Sequence, residues 1–299
     1  MLKDKDRVLN IILISPSILA VLIFIYGFIA WSVRVSLSKW KGLTPDYTWN
    51  SINNYIELFN DARFAVDVRN TLIFTGVFVI GSLTLGFLLA VMLDQGLRGE
   101  GFFRSLFLFP MAISYIVTGV VWRWLMNPAM GSRMSGFNLL FANLGLDSWV
   151  NEWHTTPQWG MAAIALAAIW QMSGYTMALY LAGLRAIPHE LKEAARIDGA
   201  TRFQAFLLIV MPLSSPGIIA TSIFSFIGAW NEYVYAYTFL SRDDQMTLPV
   251  GIQRFFTEFA TDWPGLMAAT FMMSVPVVVM FLVLQKYFVR ALTEGAVKH

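Results

Sequence analysis

The sequence predicts an all-α integral membrane protein of six transmembrane helices. Both termini are expected on the cytoplasmic side, with a short charged helix between the fourth and fifth spans. Three observations carry that reading: a depleted charge content, six long charge-free runs, and an uneven distribution of Lys and Arg between alternate connections. Of the 299 residues, 57% are hydrophobic and 13% are charged, against roughly 25% charged in soluble domains. The charge-free runs are Val8–Val33, Asn70–Leu93, Ser105–Trp122, Trp153–Leu184, Phe203–Asn231 and Trp263–Gln285. A hydrocarbon core of about 30 Å takes about 20 helical residues, which each run approaches or exceeds. None alternates as a membrane strand would.

The expected spans are 8–33, 70–93, 103–125, 159–184, 204–231 and 263–286 within one membrane domain, 1–299. The first run is longer than the 7–15 apolar residues of a signal peptide, and no small-residue cleavage site comes after it, so an uncleaved span is expected. Pro110, Pro212, Pro216 and Pro276 interrupt the third, fifth and sixth runs. Each is either a static kink or a flexing point, because neighbouring helices satisfy the backbone groups that proline frees. Segments 1–7, 94–104, 185–202 and 286–299 carry twelve Lys and Arg against eight Asp and Glu, while the other connections carry eight against eleven, leaving Arg123 at a helix end. The positive-inside bias therefore places both termini inside. Trp31, Trp122, Trp124, Trp159, Trp230 and Trp263 then fall at outer ends of spans, where an interfacial belt belongs.

Absent motifs narrow the function. There is no G-x-x-x-x-G-K-[ST] phosphate loop. The three histidines have no metal-ligand spacing and the chain has no cysteine, so no metal site is expected. No charged residue falls at mid-depth of a predicted span, which counts against an ion-coupled carrier. A self-contained channel or secondary transporter remains the rival class. A net charge of +2 without a basic cluster gives no reason to expect nucleic acid.

The stretch "EAARIDGATRFQAFLLIVMP" (193–212) breaks the apolar pattern. Pro188 fits a first helical turn, Glu190 and Glu193 suit the helix dipole, and Ala194 and Ala195 are strong helix formers. Gly199 permits the turn that ends the helix, and Thr201 caps the helix after it. Leu191, Ala194, Ala195 and Asp198 share one face. Such a helix either lies on lipid or docks into another protein; its small alanines favour docking, since lipid anchors use large apolar residues.

Glu193-Ala194-Ala195, three residues, Gly199, nine residues, Ile209, one residue, then Met211-Pro212 resembles the signature of bacterial ABC-importer permeases, E-A-A-x3-G-x9-I-x-L-P, departing only at Met211. The similarity is nearest to carbohydrate importers of the maltose and glycerol-phosphate type. Residues 15–40, 82–128 and 159–213 resemble the first permease subunit of such systems, and 217–299 the second. The resemblance implies a transport subunit of a bacterial plasma membrane, not an enzyme. It implies two cytoplasmic ATP-binding subunits that hold the ATP and Mg, with no cofactor on this chain. It also implies a second permease subunit, a heterodimer in preference to a homodimer, and an extracytoplasmic solute-binding protein. Residues 185–204 would be the coupling loop, with Glu193, Ala194, Ala195, Asp198 and Gly199 facing the ATPase. In the tail "ALTEGAVKH", Thr293, Glu294, Gly295 and Lys298 would reach the same partner.

Sugars are held by aromatic stacking and by amide and hydroxyl hydrogen bonds. Trp170 lies eleven residues from Trp159, about 16 Å deeper at about 1.5 Å per residue, away from a belt position. Gln171 adjoins it, and Gly174 and Tyr175 lie one turn on. All four are candidates for the substrate pathway, and the family resemblance favours Trp170, Gln171 and Tyr175 as a mid-membrane sugar site, while helix–helix adhesion is the alternative role for a polar residue at that depth. Asn231 and Glu232 are either an interfacial cap or the outer rim of the path, and Ser114, Tyr115 and Thr118 are weaker candidates for its wall.

Overall fold

The structure is a computed structural model that describes residues 2–156, 159–240, 242–256 and 261–296. It is helical, and its only β pairing among the described residues is three isolated bridges. In order, the helices are α1 (Leu2–Val21), α2 (Phe28–Ser36), α3 (Asn53–Asn60), α4 (Ala62–Leu93), α5 (Glu100–Leu108), α6 (Tyr115–Leu125), α7 (Gly136–Asn143), α8 (Gly160–Arg185), α9 (His189–Ile197), α10 (Arg202–Ala205), α11 (Met211–Trp230), α12 (Val234–Phe239), α13 (Leu248–Gly251) and α14 (Trp263–Ala296). Five stretches are long and apolar enough to cross a membrane: Asn10–Ser36, Ala62–Leu93, Gly160–Arg185, Phe203–Phe239 and Trp263–Gln285.

The third expected span, 103–125, is not one straight helix. Glu100–Ala112 and Tyr115–Leu125 meet at 95°. Pro110 sits in a 3-10 turn, Phe109–Ala112, and the chain then turns extended at Ile113 (φ −83°, ψ 139°) before α6 begins. Other boundaries move less. Although it carries Arg63, Asp67 and Arg69, α4 starts at Ala62, eight residues before the apolar run. The Asp61 carboxylate accepts the Arg63 N–H at 2.8 Å, an N-terminal cap that hydropathy does not register. The fifth span breaks after Trp230, and the sixth helix continues past its apolar part to Ala296.

Two compact units are distinguished. One comprises the chain up to Phe64 with Ile252–Pro276. There Asn54, 3% exposed, donates to the Ser36 and Ser38 carbonyls at 2.8 and 2.9 Å, fastening α3 to the end of α2. Trp40 packs against Trp31, Tyr47 and Trp263 at 5.4–6.3 Å between ring centroids. These tryptophans pack on one another as a cluster.

The other unit comprises Ala65–Gly251 and the chain from Val277. Its centre is α8, whose apolar stretch is 61% buried against 0–28% for the other four candidate spans. Small residues make that position possible. A Cβ on Gly86 of α4 would collide with Thr176 and the Met177 backbone of α8, and one on Gly174 of α8 with the Phe107 backbone of α5. Hydrophobic transfer supplies no drive between helices in lipid, so such close approach and the hydrogen bonds it permits carry the packing. The Thr176 hydroxyl donates to the Ser82 carbonyl of α4 at 2.9 Å. Trp230, expected in the belt, is only 3% exposed and stacks on Phe226 at the end of α11.

Gly86→Ala is expected to destabilise the folded chain by about 1–3 kcal/mol, the usual cost of overpacking, whereas Gly76→Ala, with open space around its Cβ position, stays near neutral. Thermal unfolding of both variants in one detergent checks the difference.

Candidate functional site

Two places bring the sequence-derived candidates together: the turn between α8 and α11, and the junction of α8 with α6 and α12.

At the turn, α9 ends at Gly199, whose φ of +83° is a left-handed conformation that favours glycine. The Ala200 N–H reaches back to the Ala195 carbonyl at 2.9 Å, a Schellman closure of the helix end. The next helix starts at once on a reciprocal cap. The Thr201 N–H donates to Gln204 Oε1 at 2.9 Å, and the Gln204 N–H donates to Thr201 Oγ1 at 3.2 Å. Both ends of the turn are thus fixed by local hydrogen bonds. The expected docking face splits: Ala195 is buried against the chain, whereas Leu191, Glu193, Ala194, Asp198 and Gly199 are exposed, as is Ile197 at 86%. Just before it, Arg185 at the end of α8 pairs with Glu100 at 2.7 Å and lies 3.9 Å from Asp94. Thr293, Glu294 and Gly295 lie in the last turns of α14, and Lys298 falls outside the described residues.

At the junction, Gln171 is fully buried. Its Nε2 donates to the Ile113 carbonyl at 2.7 Å, at the bend of the third span. Its Oε1 accepts from the Tyr235 hydroxyl of α12, and Tyr235 is itself 1% exposed. One amide therefore joins three separate segments. Tyr115, in the first turn of α6, packs edge-on against Tyr235 at 5.8 Å. Gly174 is buried where α8 meets the Phe107 backbone, and Tyr175, on the next residue, is partly exposed.

Trp170 is 38% exposed, and its ring lies 5.7 Å from that of Trp122. Trp122 is expected at the outer end of the third span and Trp170 deeper in the fourth, yet the two rings meet. Asn231 is exposed, its amide donating to the Ile227 carbonyl at 2.9 Å. The Glu232 carboxylate accepts the N–H groups of Tyr235 and Ala236 at 2.6 and 3.1 Å, and so caps α12. Sequence reasoning missed Tyr235 and Ile113. The tyrosine-rich "NEYVYAY" around Glu232 was the available signal for the first; nothing local marks a backbone carbonyl.

A chain built this way has known relatives. Residues 82–294 match the family described as binding-protein-dependent transport system inner membrane component. The chain belongs to that family. It is a multi-pass membrane permease subunit, not an enzyme. A probable ABC transporter permease protein of Pyrococcus horikoshii is 39% identical over 221 residues, covering 74% of each chain. The xylose/arabinose import permease protein of Haloferax volcanii is 33% identical over 221 residues, covering 74% of this chain and 68% of that one. Among solved structures, a chain of the bacterial alginate ABC transporter in complex with an alginate pentasaccharide-bound periplasmic protein superposes with a TM-score of 0.73, at 22% identity and 95% coverage of each chain. That likeness concerns the fold.

Gln171→Leu removes the partner of a partly buried carbonyl and of a buried hydroxyl, and a buried group left unsatisfied costs about 1–3 kcal/mol. Tyr235→Phe removes only the hydroxyl. A double-mutant cycle on thermal stability is expected to show Tyr235→Phe costing little once Gln171 is Leu, a coupling of about 0.5–3 kcal/mol.

Proposed function

We propose that this permease subunit forms part of the translocation path of an ATP-driven importer for a sugar or related polyol. In this reading α9 couples it to separate ATPase subunits. The observation that carries the coupling is the doubly capped turn at Gly199, which joins a short helix with exposed Glu193, Ala194 and Asp198 to the start of the next helix. A rigid lever of that kind transmits a displacement of its docking partner to the next span. Glu193, Ala194, Asp198 and Gly199 form its exposed side, and Ala195 seats it on the chain. Two cytoplasmic subunits bind the ATP and Mg, and the end of α14 with Thr293, Glu294, Gly295 and Lys298 meets the same partners. A second, non-identical permease subunit completes the path, and an extracytoplasmic binding protein delivers the solute.

The sugar reading is supported by the xylose/arabinose import permease among the relatives. On this chain Trp170 and Tyr175 are the partly exposed aromatic residues that contact the solute. Gln171 and Gly174 hold the wall behind them, and Asn231 and Glu232 shape its outer end.

Glu193→Lys and Gly199→Pro are expected to leave the chain in the membrane while ATPase co-purification and uptake fall at least about tenfold, because disrupting a charged docking contact costs about 2–5 kcal/mol. Removing Thr293–His299 lowers the same two quantities. An undiminished, solute-stimulated ATPase complex in all three variants refutes the coupling assignment.

Trp170→Ala and Tyr175→Ala are expected to reduce uptake several-fold to about tenfold, the value of an aromatic contact, with the assembled complex melting close to wild type. Uptake that falls only in proportion to lost thermal stability assigns both rings to packing instead.

A further inference from the structure

The second unit holds a cavity of about 480 Å3 that none of the proposed path residues lines. Its size lies within the roughly 300–1,000 Å3 of small-molecule sites. Trp124, at the end of α6, and Phe239, at the end of α12, supply its aromatic surface, and Arg123, Asn127, His154 and Arg242 its polar one. The walls are held from outside the cavity. Arg123 donates to the Thr238 carbonyl at 2.9 Å, and the Asn127 amide donates to the Ser135 hydroxyl at 2.7 Å. His154, 5% exposed, packs edge-on against Phe239 at 5.6 Å. Trp124 is different: the residue is 60% exposed.

The chemistry of this lining separates ligand classes. A dedicated anion site presents donors and uncompensated positive charge. Here Arg242 grips Asp244 with two hydrogen bonds of 3.0 and 2.8 Å, and Arg123 is engaged by the Thr238 carbonyl, so neither guanidinium is presented as a free cation. Burial first, and then the nearby Arg123, hold His154 below the usual histidine range. Its Nδ1 is buried without a hydrogen-bond partner among the described residues, and an imidazole in its uncharged form carries an accepting nitrogen as well as a donor. Donors and acceptors side by side, next to an exposed indole face, suit hydroxyl groups on a ring with one apolar side.

We propose that this cavity is a carbohydrate subsite at the outer end of α6, where a neutral sugar ring stacks on Trp124 before it enters the path. The inference rests on the sugar reading and on the orientation given above, and it adds a place where this chain receives the solute. Occupancy there requires no movement of the α8 junction, since Gln171, Ile113 and Tyr235 lie outside the cavity lining.

The test has two stages. The assembled transporter is first assayed for uptake of xylose, arabinose, maltose and trehalose. The sugar taken up is then titrated onto the full chain, labelled with 5-fluorotryptophan, in lipid nanodiscs. The fluorine resonance assigned through Trp124→Phe is expected to shift saturably. Binding read through the other resonances and by calorimetry weakens about three- to tenfold in Trp124→Ala. It weakens less in Trp124→Phe and not at all in Trp49→Ala, which removes an indole 70% exposed in the first unit. A silent Trp124 resonance, or affinity unchanged in Trp124→Ala, overturns the subsite and leaves Trp124 as an interfacial anchor, while uptake still supports the sugar reading. Uptake of none of the four sugars overturns both.

Discussion

A chain in hydrocarbon must satisfy its backbone hydrogen bonds internally, because no water is present to do so. The bent third span puts that requirement at risk. Ile113 leaves the helical conformation between α5 and α6, so its carbonyl has no partner along its own helix. Gln171 supplies the partner from α8, and its oxygen is occupied in turn by Tyr235 from α12. The bend, the central helix and the short helix after the fifth span are thereby fixed to one another by a single side chain. Without that amide, the sharp turn leaves a partly buried carbonyl without its partner. The position of α6 and the pairing of Trp122 with Trp170 both depend on the bend being stabilised in this way.

Close packing around α8 has the same logic. Buried apolar area drives helices together in water, but lipid is as apolar as leucine, so shape and hydrogen bonding must act instead. Gly86 and Gly174 let α4 and the α5 end approach the α8 backbone, and Thr176 uses the nearness to reach the Ser82 carbonyl. By contrast, the apolar stretches Asn10–Ser36, Ala62–Leu93 and Trp263–Gln285 are only 0–28% buried within the chain.

Outside the apolar layers, the turn between α8 and α11 is closed by local hydrogen bonds at both of its ends. The left-handed Gly199, the Ala200 to Ala195 closure and the Thr201–Gln204 cap all lie within ten residues. A segment specified this locally keeps its shape whatever docks against it. That independence suits a lever, and it separates the coupling candidates from the path candidates, whose positions depend on distant partners.

The same distinction divides what the sequence by itself determined from what only the tertiary structure decided. Helical class, the apolar stretches, the helix–glycine–helix turn and the role of Thr201 as a cap were legible, because hydropathy and capping act between residues a few positions apart. The E-A-A spacing also made the permease resemblance readable before any fold was known. The bend at Ile113 was not legible: a proline alone does not distinguish a kink from a break, and the residue that stabilises the break lies 58 positions away. The burial of Gln171 and the burial of Trp230 were hidden for the same reason. Glu232, legible only as a cap or a rim, acquired its capping role when α12 formed beyond it. Depth along a straight helix can be counted from sequence, but whether the helix stays straight is decided by the groups that come to meet it.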